Sequence, residues 1–275
     1  MIRYWPALAL ALALACAGMA SAQMTPPPGS PPVRRIEPSK IILVGDSTTA
    51  VIGGWGPAFC ADHVTSFMAC INLARGGRSS GNYRWEGSWD VAKAEMRVPG
   101  YRDIWVLIQF GHNDQPAKPG RSTDLATGFP ANLRAYVREA RALGAKPILV
   151  TPLTRRIFAD GRLVDDLAPW AAATRQVAAE IQVPLLDLHA DSAAVVQAMG
   201  PAASQMFAQL PAGSTPVGPP AAAAAATEVQ VQPLATPKLS FDNTHLGSRG
   251  AAFFATIVTG ELANAVPAMR PLLVP

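Results

Sequence analysis

The chain of 275 residues is poor in charges, in cysteines and in long apolar runs. Charged residues make up 15% of it, and its formal net charge is only +4. Because this positive charge is weak and scattered, it excludes a basic nucleic-acid-binding face, although it is compatible with an acidic polysaccharide as a partner. The four histidines include no i, i+4 pair and accompany no cysteine cluster. The sequence therefore lacks the ligand spacing of a metal site.

An apolar run opens the chain. Arg3 precedes an almost unbroken series of alanine and leucine over positions 6–15, and Ala20-Ser21-Ala22 follows. A basic start, a short apolar core and small residues before a cleavage point are typical of an export signal. We predict a signal peptide over residues 1–22 and a secreted or periplasmic protein without a membrane span, because the run is too short to cross a bilayer. Lipid attachment at Cys16 is the alternative.

Two cysteines follow this segment, Cys60 and Cys70. Export to an oxidising compartment favours a disulfide between them, and two separate buried thiols are the alternative. Because the bond would close a short loop, it would add about 2 to 3 kcal/mol to the free energy of unfolding.

Composition also divides the rest of the chain. Residues 23–39 are rich in proline and short of apolar residues, which predicts a flexible leader. A single domain is expected over residues 40–265, followed by a tail over 266–275. Within that domain, residues 200–237 are rich in proline and alanine and predict a disordered or loosely packed insertion.

Apolar runs of strand length alternate with segments of helical spacing in the predicted domain. Continuous apolar strands are typical of a parallel sheet that is buried on both faces. We predict the α/β class, with a flavodoxin-like, doubly wound, five-stranded parallel sheet in a three-layer α/β/α sandwich. The predicted strands are Ile41 to Val44, Phe67 to Leu73, Ile104 to Phe110, Pro147 to Thr151 and Val183 to Leu188. The predicted helices are Gly54 to His63, Trp89 to Val98, Pro130 to Leu143, Asp166 to Ile181 and Ser248 to Ala263.

Residues Arg155 to Val164 depart from this alternation. They predict either a hairpin that turns at Asp160-Gly161 or a lid over the site.

A serine, a histidine and an acid occupy positions that suit nucleophilic catalysis. Ser47 follows the first predicted strand, and Asp242 lies three positions before His245. Serine is a weak nucleophile near neutral pH unless an imidazole accepts its proton and a carboxylate orients that imidazole. Ser47 is also expected at the junction between the first strand and the first helix, where the helix dipole favours negative charge, although a plain helix cap is an alternative role for this serine.

Two further strand ends carry groups that suit the stabilisation of an oxyanion. Gly76 and Gly77 follow the second predicted strand and are suited to presenting a backbone N–H to a ligand. The side-chain amide of Asn113 follows the third strand and is a natural oxyanion donor. In a parallel sheet these strand ends meet at one edge.

The blocks Gly-Asp-Ser, Gly, Gly-x-Asn-Asp and Asp-x-x-His stand in this order, and together they resemble the SGNH, or GDSL-type, hydrolases. Within that superfamily the chain is similar to the rhamnogalacturonan acetylesterase family. The motifs that carry the resemblance are Gly45-Asp46-Ser47-Thr48, Gly76-Gly77-Arg78-Ser79-Ser80, Phe110-Gly111-His112-Asn113-Asp114 and Asp242-Asn243-Thr244-His245-Leu246. The long insertion before the last block departs from the compact family pattern.

The resemblance implies a role for each residue of the site. Ser47 would be the nucleophile, His245 the base and Asp242 the acid that orients it. The backbone N–H groups of Ser47 and Gly77 and the side chain of Asn113 would form the oxyanion hole. The implied activity is removal of acetyl groups from a plant cell-wall polysaccharide, in particular pectic rhamnogalacturonan, without a metal or other cofactor.

Other interpretations of the same residues stay open. Residues 77–81 fit the Gly-x-Ser-x-Gly nucleophile elbow, which would make Ser79 the nucleophile, but residues 82–85 read as a loop rather than the helix that such an elbow requires. A lipid esterase or thioesterase of the same fold is an alternative function. A catalytically silent carbohydrate-binding protein is a second alternative.

Arginine and aromatic side chains are expected at the mouth of the site. The arginines suit a carboxylate-bearing sugar, the aromatic rings suit stacking on sugars, and a solvated rim with core aromatics is the alternative. His112 is interpreted either as a substrate contact or as a structural residue, whereas His63 and His189 have no partner motif. The candidates for substrate binding are Arg78, His112, Arg84, Trp85 and Arg155, with Arg156, Tyr83 and Trp89 nearby.

Overall fold

The computed structural model describes Gly29, residues 36–209 and residues 242–275. The predicted signal peptide and most of the predicted leader and insertion lie outside the described residues. The alternative role of Cys16 falls outside them too. The fold described below belongs to the compact unit Glu37–Pro275.

Five parallel strands form the central sheet. Their order across the sheet is β2-β1-β3-β4-β7. The flavodoxin-like parallel sheet predicted from the apolar runs is therefore confirmed. The strands are β1 (Ser39–Gly45), β2 (Met68–Asn72), β3 (Ile104–Gln109), β4 (Lys146–Val150) and β7 (Leu185–Leu186).

The hairpin predicted between the fourth and fifth strands of this sheet is also present. Its two strands, β5 (Phe158–Ala159) and β6 (Arg162–Leu163), pair in antiparallel fashion. Asp160 and Gly161, which make the turn, both have positive φ angles.

Helices cover both faces of the sheet. In the helix over residues 128–142, the buried residues Leu133, Val137 and Ala140 recur at intervals of four and three, which places them on one face. No helix among the described residues is long and apolar enough to cross a membrane. The helices are α1 (Gly56–Asp62), α2 (Asn82–Trp85), α3 (Ser88–Met96), α4 (Gly128–Ala142), α5 (Ala168–Glu180), α6 (Leu188–Ala203) and α7 (Ser248–Ala265), with 3-10 helices at Ser204–Phe207 and Pro267–Leu272.

The alternation of side chains along the strands divides the core into two layers. Ile41 and Leu43 of β1 pack in the layer that contains residues of α1, α6 and α7. Ile42 and Val44 pack in the layer that contains residues of α3, α4 and α5. Because successive side chains of a strand point to opposite faces, an uninterrupted apolar strand supplies both layers at once.

Residues 200–209 differ from the prediction of a loosely packed insertion. Gly200 has a φ of 75° and interrupts α6, yet the chain continues into a 3-10 helix in which Ser204 and Phe207 are buried. Proline and alanine suggested low complexity, whereas tertiary contacts order this part of the chain. The last residues are packed as well, since Met269 and Leu272 are buried and Leu273 bridges to Val64.

A disulfide between Cys60 and Cys70 joins α1 to the edge strand β2, as predicted. We expect the Cys60→Ser, Cys70→Ser double variant to lose about 2 to 3 kcal/mol of unfolding free energy, because its unfolded chain is less restricted. Urea unfolding of both proteins, with and without a reductant, measures this difference. The reductant should lower the stability of the wild type to that of the variant and leave the variant unchanged. Equal stability without reductant would contradict the prediction.

Glu261 of α7 lies among acidic groups at the contact with α6. Burial, followed by the neighbouring carboxylates of Asp191 and Asp187, raises the pKa of Glu261 from 4.5 to about 8. Asp187 itself is ion-paired with Arg175. Between pH 4.5 and about 8, Glu261 is protonated in the folded state and ionised in the unfolded state. The free energy of unfolding therefore falls as the pH rises through this range.

We expect Glu261→Gln to raise the free energy of unfolding more at pH 8 than at pH 5, since a neutral amide removes the cost of ionisation. Urea unfolding at the two pH values gives the comparison. The exposed residue Glu37 provides a control, and Glu37→Gln should have the same small effect at both. A Glu261→Gln effect that is independent of pH would refute the assignment.

Candidate active site

Ser47 lies in a tight turn that follows β1. The carbonyl oxygen of Asp46 accepts hydrogen bonds from the backbone N–H groups of Thr49 and Ala50, at 3.2 and 3.0 Å. Helix α1 begins at Gly56, close to the predicted start at Gly54, so the expectation of a helix end beside Ser47 is wrong. The free N–H groups near this serine belong to a turn rather than to the end of a helix.

The two strands beside β1 hold this turn in place. At the end of β2, the side-chain amide of Asn72 donates a hydrogen bond to the carbonyl oxygen of Thr49 at 2.8 Å. At the end of β3, Oε1 of Gln109 accepts hydrogen bonds from the Thr49 hydroxyl and from the indole N–H of Trp55. Neither Asn72 nor Gln109 was predicted to support the site. Their signal was a polar side chain at the carboxyl end of an apolar strand.

Asp46 and His112 form a buried pair beneath the same turn. One carboxylate oxygen of Asp46 accepts hydrogen bonds from the N–H and hydroxyl of Thr48, and the other lies 3.3 Å from Nδ1 of His112. Burial raises the pKa of Asp46, but His112 and the bonds from Thr48 outweigh this effect and leave it below its usual value. Burial lowers the pKa of His112. With 2% exposure, His112 lies inside the turn rather than at the substrate-facing surface.

The Asp242 carboxylate holds both the backbone and the ring of His245. Its Oδ1 accepts hydrogen bonds from the N–H groups of Thr244 and His245, at 2.8 and 2.6 Å. Its Oδ2 lies 2.6 Å from Nδ1 of His245. Burial raises the pKa of Asp242, but the bonds and charge of His245 outweigh it and lower the value to about 2. An ionised Asp242 places the ring proton on Nδ1, which leaves Nε2 to accept another.

The loops that carry Ser47 and His245 are packed against each other at Gly53. The N–H of Leu246 donates a hydrogen bond to the carbonyl oxygen of Gly53 at 2.8 Å. Gly53 has a φ of 84°, and a Cβ there would lie 3.1 Å from Cδ2 of His245. Within residues 36–209 and 242–275, the Ser47 hydroxyl makes no hydrogen bond to His245. Such bonds often tighten only when substrate is bound.

The predicted oxyanion donors lie on adjacent loops. The Cβ of Ser47 is 3.7 Å from the position that a Cβ would take on Gly76. Gly77 has a φ of 77°, which favours glycine and turns the backbone sharply beside Ser47. One amide hydrogen of Asn113 is bound to the carbonyl oxygen of Arg78 at 3.1 Å. An amide carries two such hydrogens, so Asn113 retains one donor for a ligand.

Ser79, the nucleophile of the alternative elbow, is fully buried. Its hydroxyl and its N–H both donate hydrogen bonds to Oδ1 of Asn82 at the start of α2. The hydroxyl of the neighbouring Ser80 is bound to Asp114 at 2.6 Å, and burial raises the pKa of Asp114 to about 6. Residues 82–85, predicted as a loop, are helical because this buried network fixes the first turn. The network gives Ser79 a structural role.

Arg156 was predicted at the mouth of the site but is buried behind Asp242 and His245, with 1% exposure. Its Nη2 donates hydrogen bonds to the carbonyl oxygens of Asp242 and His245, at 3.0 and 2.7 Å. Its backbone N–H donates to the carbonyl oxygen of Asn243 at 2.8 Å. Burial lowers the pKa of Arg156 to about 10, so the guanidinium is charged at neutral pH. One residue thus binds three carbonyl groups of the segment 242–245.

The segment over residues 204–208 supports the same loop from the other side. The carbonyl oxygen of Phe207 accepts a hydrogen bond from Gly247, and Ala208 forms a β-bridge with Leu246. Nε2 of Gln205 lies 3.2 Å from Oδ1 of Asn243. The start of the predicted insertion therefore takes part in shaping the site.

Three predicted substrate-binding arginines are engaged in ion pairs with neighbouring acids. These ion pairs restrain the guanidinium groups and neutralise part of their charge. The pairs are Arg78 with Glu86, Arg84 with Glu139 and Arg155 with Asp166.

The three nearby aromatic residues have different environments. Tyr83 and Trp89 are buried in the core, which favours the structural alternative for both. Trp85 is 72% exposed and available for stacking on a ligand.

The remaining histidines have structural contacts. His63 binds the carbonyl oxygen of Val274, and His189 pairs with Asp165. No group of three or more histidine, cysteine or acidic side chains among the described residues is arranged to hold a metal ion.

Comparison with known proteins identifies relatives of this chain. The sequence profile of the GDSL-like lipase/acylhydrolase family matches residues 43–252. The "Probable rhamnogalacturonan acetylesterase YesY" of Bacillus subtilis is 37% identical over 155 residues, which are 54% of this chain and 69% of that protein. The rhamnogalacturonan acetylesterase RhgT of the same species is 33% identical over 177 residues, which are 62% of this chain and 73% of that protein.

Solved structures agree on the fold. The crystal structure of the Bacillus subtilis protein YXIM superposes with a TM-score of 0.61 at 21% sequence identity. The match covers 83% of this chain and 57% of that one, so this chain spans little more than half the length of that protein. This likeness concerns the arrangement of the sheet and helices.

We expect Arg156→Met to lower kcat about 100-fold with little change in KM, because it releases the carbonyl groups of Asp242 and His245 and misplaces the imidazole. Arg156→Lys keeps the charge and one donor and should retain intermediate activity. Arg249→Met removes an exposed arginine from the start of α7 and serves as the control. Steady-state kinetics on 4-nitrophenyl acetate, with near-UV circular dichroism as a check on folding, measures the effect. An unchanged kcat in folded Arg156→Met would contradict this role.

Proposed function

This chain belongs to the GDSL-like lipase/acylhydrolase family, and on that premise we propose that it is a carbohydrate O-acetylesterase that acts on acetylated pectic rhamnogalacturonan. The family makes it a carboxylic-ester hydrolase. The observation that carries the proposal is the Asp242–His245 pair packed beside the turn of Ser47. That arrangement suits acyl transfer through a serine.

The substrate class is supported by the two Bacillus subtilis relatives, both of which are named as rhamnogalacturonan acetylesterases. Basic side chains on the loops around the site are compatible with an acidic pectic substrate. They include Arg78 and Arg155, although each of these is paired with an acid. Acetylated polysaccharide or oligosaccharide is therefore the proposed substrate.

In the proposed first step, Oγ of Ser47 attacks the carbonyl carbon of the acetyl ester while its proton passes to Nε2 of His245. The N–H groups of Ser47 and Gly77 and the amide of Asn113 stabilise the oxyanion that forms. The C–O bond to the sugar then breaks, and His245 returns the proton to the departing hydroxyl group. The products are a free sugar hydroxyl and an acetyl-enzyme.

Water completes the cycle by attacking the acetyl-enzyme. His245 takes a proton from the water, the tetrahedral species collapses, and the proton goes back to Oγ of Ser47 as acetate leaves. Asp242 stays ionised throughout, because its pKa lies near 2. The mechanism needs no cofactor.

The amino-terminal sequence adds a proposal about location. Its basic residue, short apolar core and small residues before position 23 favour export, with cleavage after Ala22. A secreted or periplasmic enzyme would meet large polysaccharides that do not enter cells.

We expect Ser47→Ala to lower the rate of acetate release from acetylated rhamnogalacturonan by about 10⁴-fold or more, since it removes the attacking oxygen. Ser79→Ala is the matched control and should retain turnover. Acetate release and labelling by a fluorophosphonate measure both variants. The assignment fails if Ser79→Ala abolishes turnover while Ser47→Ala is active. A preference for long-chain over acetyl 4-nitrophenyl esters in the wild type would instead favour the lipid-esterase alternative.

A further inference from the structure

The loop after the Asn113 block carries two basic residues that sequence analysis did not select. An open surface pocket of about 320 Å³ is lined by Ala117, Lys118, Pro119, Gly120 and Ser122. Arg121 follows within the same loop and is half-buried. The loop is anchored to the site through Asp114, whose carbonyl oxygen accepts a hydrogen bond from Thr123 at 2.9 Å.

Arg121 reaches the loop of the predicted oxyanion hole. Its Nη1 lies 3.5 Å from the carbonyl oxygen of Gly77 and 3.3 Å from the position that a Cβ would take on Gly77. A positive group at this position is next to the place where the acetyl ester must bind. Arg121 therefore borders the proposed catalytic centre directly.

Lys118 and Arg121 lie in one turn, in which the backbone N–H of Arg121 donates a hydrogen bond to the carbonyl oxygen of Lys118 at 3.0 Å. Burial lowers the pKa of Lys118, and the charges of Arg155 and Arg121 lower it further, with only partial compensation from Asp46 and Asp166. Positive groups that are partly withdrawn from water and lie near one another repel each other. A bound anion would relieve this repulsion.

Neither Lys118 nor Arg121 has an ion-pair partner in the part of the chain that the structure describes. This distinguishes them from Arg155, whose guanidinium is bound to Asp166. Both cations thus keep their charge available for a ligand. A guanidinium binds a carboxylate through two parallel hydrogen bonds, and an ammonium adds a strong point charge.

An exposed aromatic ring adjoins the far end of the same loop. A Cβ on Gly81 would lie 2.9 Å from the ring of Trp85 and 3.3 Å from the methyl group of Thr123. Trp85 and Thr123 therefore lie against the same point of the backbone. The apolar face of a sugar ring stacks readily on an indole, and Trp85 is 72% exposed.

We propose that Lys118 and Arg121 form a subsite for the carboxylate of a uronic acid residue next to the acetylated sugar, with Trp85 as the stacking surface for a further ring. The subsite rests on the proposed esterase function, to which it adds the residues that select an acidic substrate. Lys118 and Arg121, rather than the ion-paired Arg78 and Arg84, are then the residues that recognise the acidic sugar.

The kinetic test uses two acetylated rhamnogalacturonan oligosaccharides that differ only in whether their carboxylates are free or methyl-esterified. The wild type should show a higher kcat/KM on the free acid. Lys118→Met and Arg121→Met should each lower the ratio of the two kcat/KM values about 10-fold, because each removes a charge-assisted contact. Arg138→Met removes an exposed arginine of α4 and should leave the ratio unchanged.

A binding test separates this subsite from the esterase function. Calorimetry measures the affinity of unacetylated trigalacturonate for the wild type and for each variant, and it does not depend on turnover. Weaker binding in Lys118→Met and Arg121→Met, but not in Arg138→Met, supports the subsite. Unchanged binding and an unchanged kinetic ratio in both variants would overturn it, even if acetate release is normal. If no acetylated polysaccharide releases acetate, the esterase function is refuted. The calorimetric result decides the subsite in that case as well, because it does not depend on turnover.

Discussion

The carboxylate of Asp242 is the group on which the arrangement of the site depends. One of its oxygens accepts hydrogen bonds from the backbone N–H groups of Thr244 and His245, and the other binds the ring of His245. A single charge therefore sets both the position of the histidine and the tautomer of its ring. The low pKa of Asp242 follows from these same contacts.

The rest of the structure supports this segment from several directions. Arg156 binds its carbonyl groups from the interior, and Phe207 and Ala208 bind the residues that follow His245. Gly53 connects it to the turn of Ser47. Side chains at the ends of two neighbouring strands hold the turn of Ser47 in place. Parallel strands bring these ends together at one edge of the sheet, which explains why residues far apart in the chain meet there.

The distribution of charge around the site separates structural cations from available ones. Arg156 is buried and bound to backbone oxygens, and several rim arginines are neutralised by acids. Lys118 and Arg121 differ because the described residues provide them with no acidic partner. Counting basic residues on loops would treat all of these groups alike, whereas their capacity to bind an anionic sugar depends on what already surrounds each one.

Much of the fold was predictable from local patterns. Strands such as β1 and β3 are apolar runs that any parallel sheet must bury, and α4 shows the helical spacing of its buried face. Helix α6 was not predicted, because its alanine-rich sequence lacks a polar face and merges with the proline-rich segment that follows. The helix end that was expected beside Ser47 is replaced by a turn, since this part of the chain is held by side chains from two other strands.

The amino-acid sequence by itself determined the five strands of the sheet and most of the helices between them, the chemistry-bearing residues Ser47, Asp242 and His245, and the pair of cysteines that can be joined. These follow from hydrophobic periodicity and from the spacing of reactive groups, both of which are local properties. Only the tertiary structure decided that Arg156 supports the histidine, that Ser79 is buried and that Arg121 lies beside Gly77. Burial and ion pairing depend on residues that are distant in the chain, and no local pattern records them.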